Sequence, residues 1–363
     1  MNSESDVKLN ILFLVPYPPG IAPSQRFRFE QYLPFIEEKG WTYEVQSFIG
    51  ASTWRILYSP GHFFRKAAGV FSGFIRRWWK MLSIGSFDVV FIHRETAPLG
   101  LPLYSYVLTH WLKKKVIFDF DDAIWMENVS KGNSPFAFLK SHTNAIRLMK
   151  WSWKNSCGNH YLLEFAKQYN TSSFYLPTTI DTENTHNRVL RHSEGMPVIG
   201  WTGTHSTIHN LDHIYEVLLE VHREIPFHFL FISDAPPTFD FPGLEFRQWN
   251  KESEIDDLLE INIGLMPLAD TEWSKGKCGL KILQYMALGI VPVVSHVGVN
   301  PHLVKDGEDG FCCRSREEWK IRLTSLLTDP KLLKTLSSRT RGHVEEEFST
   351  RSQRAHFLRL FVA

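Results

Sequence analysis

Short β-branched and apolar runs alternate with longer stretches in which apolar residues recur at helical spacing, and this alternation predicts parallel sheets wrapped by helices. In the first half the runs are Asn10–Val15, Thr42–Gln46, Val89–His93, Val116–Phe120 and His160–Leu163. Helical patterns lie between them at Arg28–Lys39, His62–Leu82, Leu101–Lys113 and Pro135–Lys154. A second series follows, with strands at Val198–Thr202, His228–Ser233, Leu244–Gln248, Ile261–Pro267, Val291–Ser295 and Gly310–Cys313. Its helices are predicted near Asn210–Glu224, Glu254–Leu259, Gly279–Leu288, Arg316–Thr328 and Pro330–Glu347, and Thr350–Phe361 is a further amphipathic stretch. Two tandem βα series predict an α/β protein of two facing Rossmann-like domains with parallel sheets. The first domain is expected at residues 1–180, a polar linker at 181–196 and the second domain at 197–349. A terminal helix at 350–363 is expected to pack back on the first domain. In open parallel sheets ligands bind beyond the carboxyl ends of the strands, so the cleft between the domains is the expected site.

Charge narrows the partners. The 363 residues carry 40 Lys+Arg against 39 Asp+Glu, so no global field draws the chain to nucleic acid. Cys157, Cys278, Cys312 and Cys313 form no CxxC pair and have no histidine at zinc-finger spacing; they read as plain thiols in a reducing compartment. No apolar run approaches the roughly 18 residues of a spanning helix, and Ile11–Val15 is too short for a signal segment, so a cytoplasmic protein is expected.

One segment departs from this even balance. From Val45 to Phe87 there is no acid, while Arg55, Arg65, Lys66, Arg76, Arg77 and Lys80 all fall there. On a helical wheel Arg65, Lys66, Arg76, Arg77 and Lys80 share one sector with Gly69 and Gly73, and aromatic and aliphatic residues fill the remainder. Two readings follow. The helix covers its own sheet, or its basic rim and part of its aromatic surface dock on anionic headgroups, giving residues 63–82 a peripheral contact at the inner face of a membrane.

The most specific motif runs from Asp270 through Glu272, Lys277, Gly279, Lys281 and Gln284 to Gly289, then into the strand Val291–Ser295. It predicts a Gly/Lys-rich loop opening a helix, whose unpaired N–H groups and positive dipole end suit a pyrophosphate. Lys277 adds a charge there, and Lys281 lies one turn further on the same face. A second loop, Gly200-Trp-Thr-Gly203-Thr204-His-Ser206, ends a strand; its glycines admit close backbone approach and its hydroxyls can cap a helix or meet phosphate oxygens.

Here the chain resembles the retaining glycosyltransferases of family 4, the "group 1" transferases of GT-B fold, whose signature is Glu-Gly-Phe-Gly-x-x-x-x-Glu-Ala-Met-Ala-x-Gly-x-Pro-Val-Val. The matching stretch is Gly276-Lys-Cys-Gly-Leu-Lys-Ile-Leu-Gln284-Tyr-Met-Ala-Leu-Gly289-Ile-Val-Pro-Val-Val, with one extra residue before the proline. The family's acids are replaced: Gly276 and Gln284 stand at two of its Glu positions, and His302 at a third acid. The resemblance implies transfer of a sugar from a nucleotide diphosphate donor to a glycan or lipid-linked hydroxyl, in cell-surface polysaccharide synthesis, with no metal or other cofactor. It places Gly203, Thr204, Ser206, Lys277, Gly279, Lys281 and Gln284 at the donor, with Glu272 a substitute for the missing first acid. Substitution of the acids also favours an alternative, a catalytically silent nucleotide-sugar-binding or partner subunit.

The first domain would serve the acceptor. The proline-rich loop Pro16–Arg28 offers Ser24 and Arg26, and strand ends offer His93, Asp119, Asp121 and Asp122. His93 and Asp121, with Lys277, are the catalytic candidates. Three close acids also suit Mg²⁺ or Mn²⁺, although the resembling fold usually holds no metal.

Overall fold

The computed structural model describes residues 8–57, 59, 61–97, 102–126, 143–191 and 195–362. The chain forms two compact units, Met1–Pro177 with Arg354–Ala363, and Thr178–Gln353.

The first unit holds strands β1 (Asn10–Val15), β2 (Thr42–Ser47), β3 (Val89–His93), β4 (Lys115–Phe120), β5 (Lys154–Cys157) and β6 (Ser173–Tyr175), in the order β2-β1-β3-β4-β5-β6. Every pairing is parallel, so all carboxyl ends share one edge. β3 is buried at every position and β1 at all but its first, as expected for strands covered on both faces. Phe13 and Phe91 anchor the core at 5.0 Å, and the terminal helix Thr350–Arg359 and its tail complete it: Phe357 stacks on Tyr32 at 4.3 Å and Phe361 lies 6.0 Å from Phe91.

Two expectations change here. His160–Leu163 is no strand; it begins the helix His160–Lys167, because Asn159 accepts from the Leu162 N–H at 2.8 Å and caps it. The strand lies earlier, at Lys154–Cys157, where polar side chains conceal it: Asn155 donates to Ser173 Oγ and Ser156 to Asp119. Residues 135–142 of the predicted Pro135–Lys154 helix fall outside the described residues, and the described part is helical over Thr143–Trp151.

The second unit holds β7 (Val198–Gly203), β8 (His228–Ser233), β9 (Leu244–Gln248), β10 (Ile263–Met266), β11 (Val291–Ser295) and β12 (Phe311–Cys313), ordered β12-β11-β10-β7-β8-β9 and again parallel. The described residues of the expected linker, 181–191 with 195 and 196, belong to this unit. Arg341 donates to the carbonyls of Thr182, His186 and Ala287, and the Leu190 N–H donates to Leu288, so the chain there is strapped to the fold. Among the described residues no helix is long and apolar enough to cross a membrane.

Candidate functional site

Strand order directs the candidate site to the second unit. The chain runs outward from β7 through β8 to β9, then returns to β10 on the other side of β7. Loops leaving the carboxyl ends of β7 and β10 diverge at this reversal, the place where open α/β sheets bind ligands. Tyr285, buried on the helix Leu280–Ala287, ties the two strands there. Its hydroxyl accepts from the Thr202 N–H at 3.1 Å and donates to the Leu265 carbonyl at 3.5 Å.

Gly203 and Lys281 meet at that point. A Cβ on Gly203 would stand 2.4 Å from Trp201 Cη2 and 2.7 Å from Lys281 Nζ, so only glycine lets the ammonium press against the backbone. Lys281 Nζ lies 4.2 Å from the centre of the Trp201 ring, a cation–π contact. Burial, with the like charge of Lys277 added, pulls the Lys281 ammonium down to about 7. The arrangement concentrates positive charge that an anion would relieve. Gly279 opens the Leu280–Ala287 helix at φ 68°, a conformation that costs other residues strain, and brings the helix's first N–H groups to the same edge.

The flanking loops are braced. Thr204 forms a capping box with Thr207 and its hydroxyl meets Ser206 Oγ at 2.9 Å. Sequence reasoning missed the next contact. Asp234, just past β8, accepts from the His205 N–H at 2.6 Å and meets its ring Nδ1 at 2.8 Å, which directs Nε2 away from the carboxylate. A carboxylate one residue past a strand was the only available signal. Lys277 Nζ stands 4.9 Å over Trp273, and exposed Glu272 pairs with Lys275 at 2.6 Å.

Gln284 faces inward. Only 5% exposed, it donates from Nε2 to Glu254 Oε1 at 3.3 Å and lies 3.5 Å from His186 Nε2, while the Trp249 indole donates to the same Glu254 oxygen. The acid that holds Gln284 is therefore Glu254, contributed by another helix, Glu254–Leu258. No sequence spacing points to it. His302 is exposed on the short turn Asn300–Leu303.

In the first unit the candidates separate into two groups. His93 is fully buried; its Nδ1 meets Asp119 Oδ2 at 2.8 Å, and its Nε2 has no hydrogen-bond partner among the described residues. Arg28, equally buried, donates to the other Asp119 oxygen, as does Ser156 at 2.7 Å. Burial alone would raise the Asp119 carboxyl, but the Arg28 guanidinium and the His93 ring overcome it and hold the acid well below the usual carboxylate range. Asp121 does not join His93. Arg94 takes Asp121 at 2.7 Å and Asp122 at 2.6 Å, adopting φ 60° to do so. Among the described residues no cluster of His, Cys, Asp or Glu could hold a metal ion. Ser24 and Arg26 lie on the short turn Pro23–Arg26, which buried Gln25 pins by bonds to both the Tyr17 N–H and carbonyl.

Residues 244–343 match the family model described as "Glycosyl transferases group 1". No curated protein matches the chain. Among solved structures, a glycosyltransferase from Rickettsia africae ESF-5 superposes with a TM-score of 0.69 at 12% identity, covering 98% of each chain. Sucrose-phosphate synthase from Thermosynechococcus elongatus gives the same TM-score, identity and coverage. The catalytic domain of starch synthase IV from Arabidopsis thaliana, bound to ADP and acarbose, gives 0.68 at 11% identity, covering 98% of this chain and 99% of that one. These likenesses show a shared fold, that of GT-B glycosyltransferases.

Proposed function

We propose that the chain is a glycosyltransferase that moves a sugar from a nucleotide diphosphate donor to a hydroxyl of a glycan or lipid-linked glycan, with retention at the anomeric carbon. The observation that carries this is Lys281, buried against Gly203 and over the Trp201 ring at the β7–β10 reversal, with the like charge of Lys277 nearby. A diphosphate there would meet two ammonium groups and the N–H groups of the Leu280–Ala287 helix. The matched family model and the ADP in the starch synthase neighbour support the same reading.

In the proposed reaction the bond from the anomeric carbon to the diphosphate oxygen breaks and the bond to the acceptor oxygen forms on the same face. The leaving phosphate takes the acceptor proton, so no protein nucleophile is required. Lys277 and Lys281 stabilise the charge that grows on the leaving group, each such preorganised donor contributing roughly 3 kcal/mol. Thr204, Ser206 and Gly279 line the donor. Glu272 contacts the sugar once released from Lys275, and Gln284 shares ribose recognition with Glu254. The first unit supplies the acceptor side through Ser24 and Arg26, with His93 and Asp121 at its strand ends. The contact of His93 with Asp119 and the pairing of Asp121 with Arg94 make them positioning groups first. No metal or other cofactor enters, the compartment is cytoplasmic, and the product is a cell-surface polysaccharide precursor.

Thermal denaturation with UDP, GDP and ADP, and their sugars, tests the donor assignment, because a ligand that binds only the folded state raises its melting temperature. One nucleotide should stabilise the chain and lose that effect in Lys281→Met. If none does, the reading fails. A second reading rests on Gly276 and on the inward-facing Gln284: a silent nucleotide-sugar-binding subunit. Stabilisation by a donor without transfer or hydrolysis of any pooled donor would favour it.

A further inference from the structure

The Phe63–Lys80 helix is mounted inside out. At about 100° per residue, Phe64, Phe71, Ile75, Trp78, Trp79 and the following Leu82 share one arc, and they are 85, 66, 43, 45, 68 and 78% exposed. The opposite arc lies against the unit. A Cβ on Gly69 would come within 2.2 Å of Thr53 Oγ1, and one on Gly73 within 2.7 Å of the Phe48 carbonyl oxygen, so the glycines let the helix seat closely.

The cations of this inner arc are engaged with protein. Arg77, 2% exposed, donates to the carbonyls of Val15, Gln46 and Thr96. Arg76 donates to the Phe48 carbonyl at 2.6 Å, Lys66 to the Ser59 carbonyl at 2.6 Å, and Lys80 pairs with Glu44 at 2.7 Å. For Lys66, Arg76, Arg77 and Lys80 the expectation of a lipid-facing rim is therefore reversed, since they hold the helix down and turn its aromatic side outward, while Arg65 of the same expected rim stays exposed.

We infer that this aromatic stripe inserts into the acyl–headgroup boundary of an anionic bilayer. The stripe runs the length of an 18-residue helix, about 27 Å at 1.5 Å per residue. Its outward arc carries no charged side chain, which suits a medium that makes no directional demands; a protein partner would be met by a polar rim around an apolar centre. No acid between Val45 and Phe87 repels anionic headgroups, while exposed Arg55 and Arg65 on the same segment attract them. Trp78 meets the edge of Tyr104 at 5.7 Å, and the neighbouring Leu103, 57% exposed, widens the patch. Attachment is then mainly apolar, with charge secondary. The inference is read from the first unit alone, so it goes beyond the glycosyl-transfer reading and fails or survives separately from it.

Flotation of the full chain with phosphatidylcholine vesicles, with and without phosphatidylglycerol, provides the test. The wild type should float with the anionic vesicles and remain largely bound in 1 M NaCl. Phe71→Asp/Trp79→Asp should lose at least tenfold in binding with its melting temperature unchanged; Phe71→Ser/Trp79→Ser replaces it if the aspartates disturb folding. Arg65→Glu should weaken binding only at low salt. The inference is overturned if the wild type does not float, if both double variants float as well as it does, or if 1 M NaCl releases it completely. A wild type that is dimeric without lipid and becomes monomeric in the double variants would assign the stripe to a second copy and overturn it equally.

Discussion

The Lys281 ammonium rests 4.2 Å above the Trp201 ring, held there because Gly203 has no side chain. This contact fixes a cation at the strand reversal with no carboxylate paired to it among the described residues. Its consequences can be measured in the absence of any catalytic assay.

Proton linkage comes first. With the folded-state lysine lowered to about 7, the unfolded chain binds more protons between there and its ordinary range near 10.5. Stability of the ligand-free chain should therefore rise from pH 7 toward pH 10, and Lys281→Met should flatten that rise in urea titrations at each pH. Nucleotide diphosphate binding has the opposite slope. It needs the ammonium, so affinity should fall above pH 7 by up to about tenfold per pH unit, and calorimetry in buffers of different ionisation enthalpy should register proton uptake. Affinity independent of pH from 7 to 9 would remove Lys281 from the diphosphate site.

Gly203→Ala tests the seat directly. The added methyl crowds both at once, 2.4 Å from Trp201 Cη2 and 2.7 Å from Lys281 Nζ; ring and backbone must shift apart at a cost in stability, and the flexible lysine tail is expected to leave its seat. Nucleotide affinity should drop about tenfold or more, with folding weakened by about 1–3 kcal/mol. Equal affinity for the variant and the wild type, read by calorimetry, would show that the seat is not used.

The Arg28–Asp119 pair is a stability element. Arg28→Met leaves a buried carboxylate without its cation, which should cost about 3–5 kcal/mol in chemical denaturation. Asp119 is an acid whose folded-state proton affinity is lowered. Its contribution is complete above about pH 4 and is lost as pH falls below that. Asp119→Asn should therefore make the acid limb of the stability profile shallower, a change visible in denaturation midpoints between pH 2 and 5.

Arg77 should behave as a structural bolt. It donates to three carbonyls from Nε and both terminal nitrogens, and the compact ammonium of a lysine cannot reach all three at once. Arg77→Lys should lower stability by about 2 kcal/mol or more. A neutral outcome in thermal denaturation would show that water replaces those bonds.

Much of the architecture was legible in periodicity. The β7, β8 and β9 runs and the Arg316–Thr328 helix match their predicted bounds closely: β7 and β8 are mostly apolar and buried, Leu244 and Phe246 alternate with polar residues in β9, and Ser315 caps the helix. β5 was hidden because Asn155 and Ser156 are buried by hydrogen bonding, which a hydrophobic pattern does not register. The Phe63–Lys80 helix was divided correctly into two faces, but a wheel does not tell which face turns inward. That was decided by Gly69 and Gly73 seating on Thr53 and Phe48. At the candidate site, Lys281 and Gly203 stand in separate sequence motifs, and the fold brings them into contact. The inward rotation of Gln284 toward Glu254 was not legible, since it depends on two helices brought together by folding.

Phe357 and Phe361 close the aromatic core around Tyr32, Phe13 and Phe91, yet they are synthesised after the whole second unit. On the ribosome the first sheet must therefore wait, with part of its interior uncovered, while the later unit is made and folds. Chaperone engagement of the nascent chain should be concentrated in that interval and end when those two phenylalanines emerge.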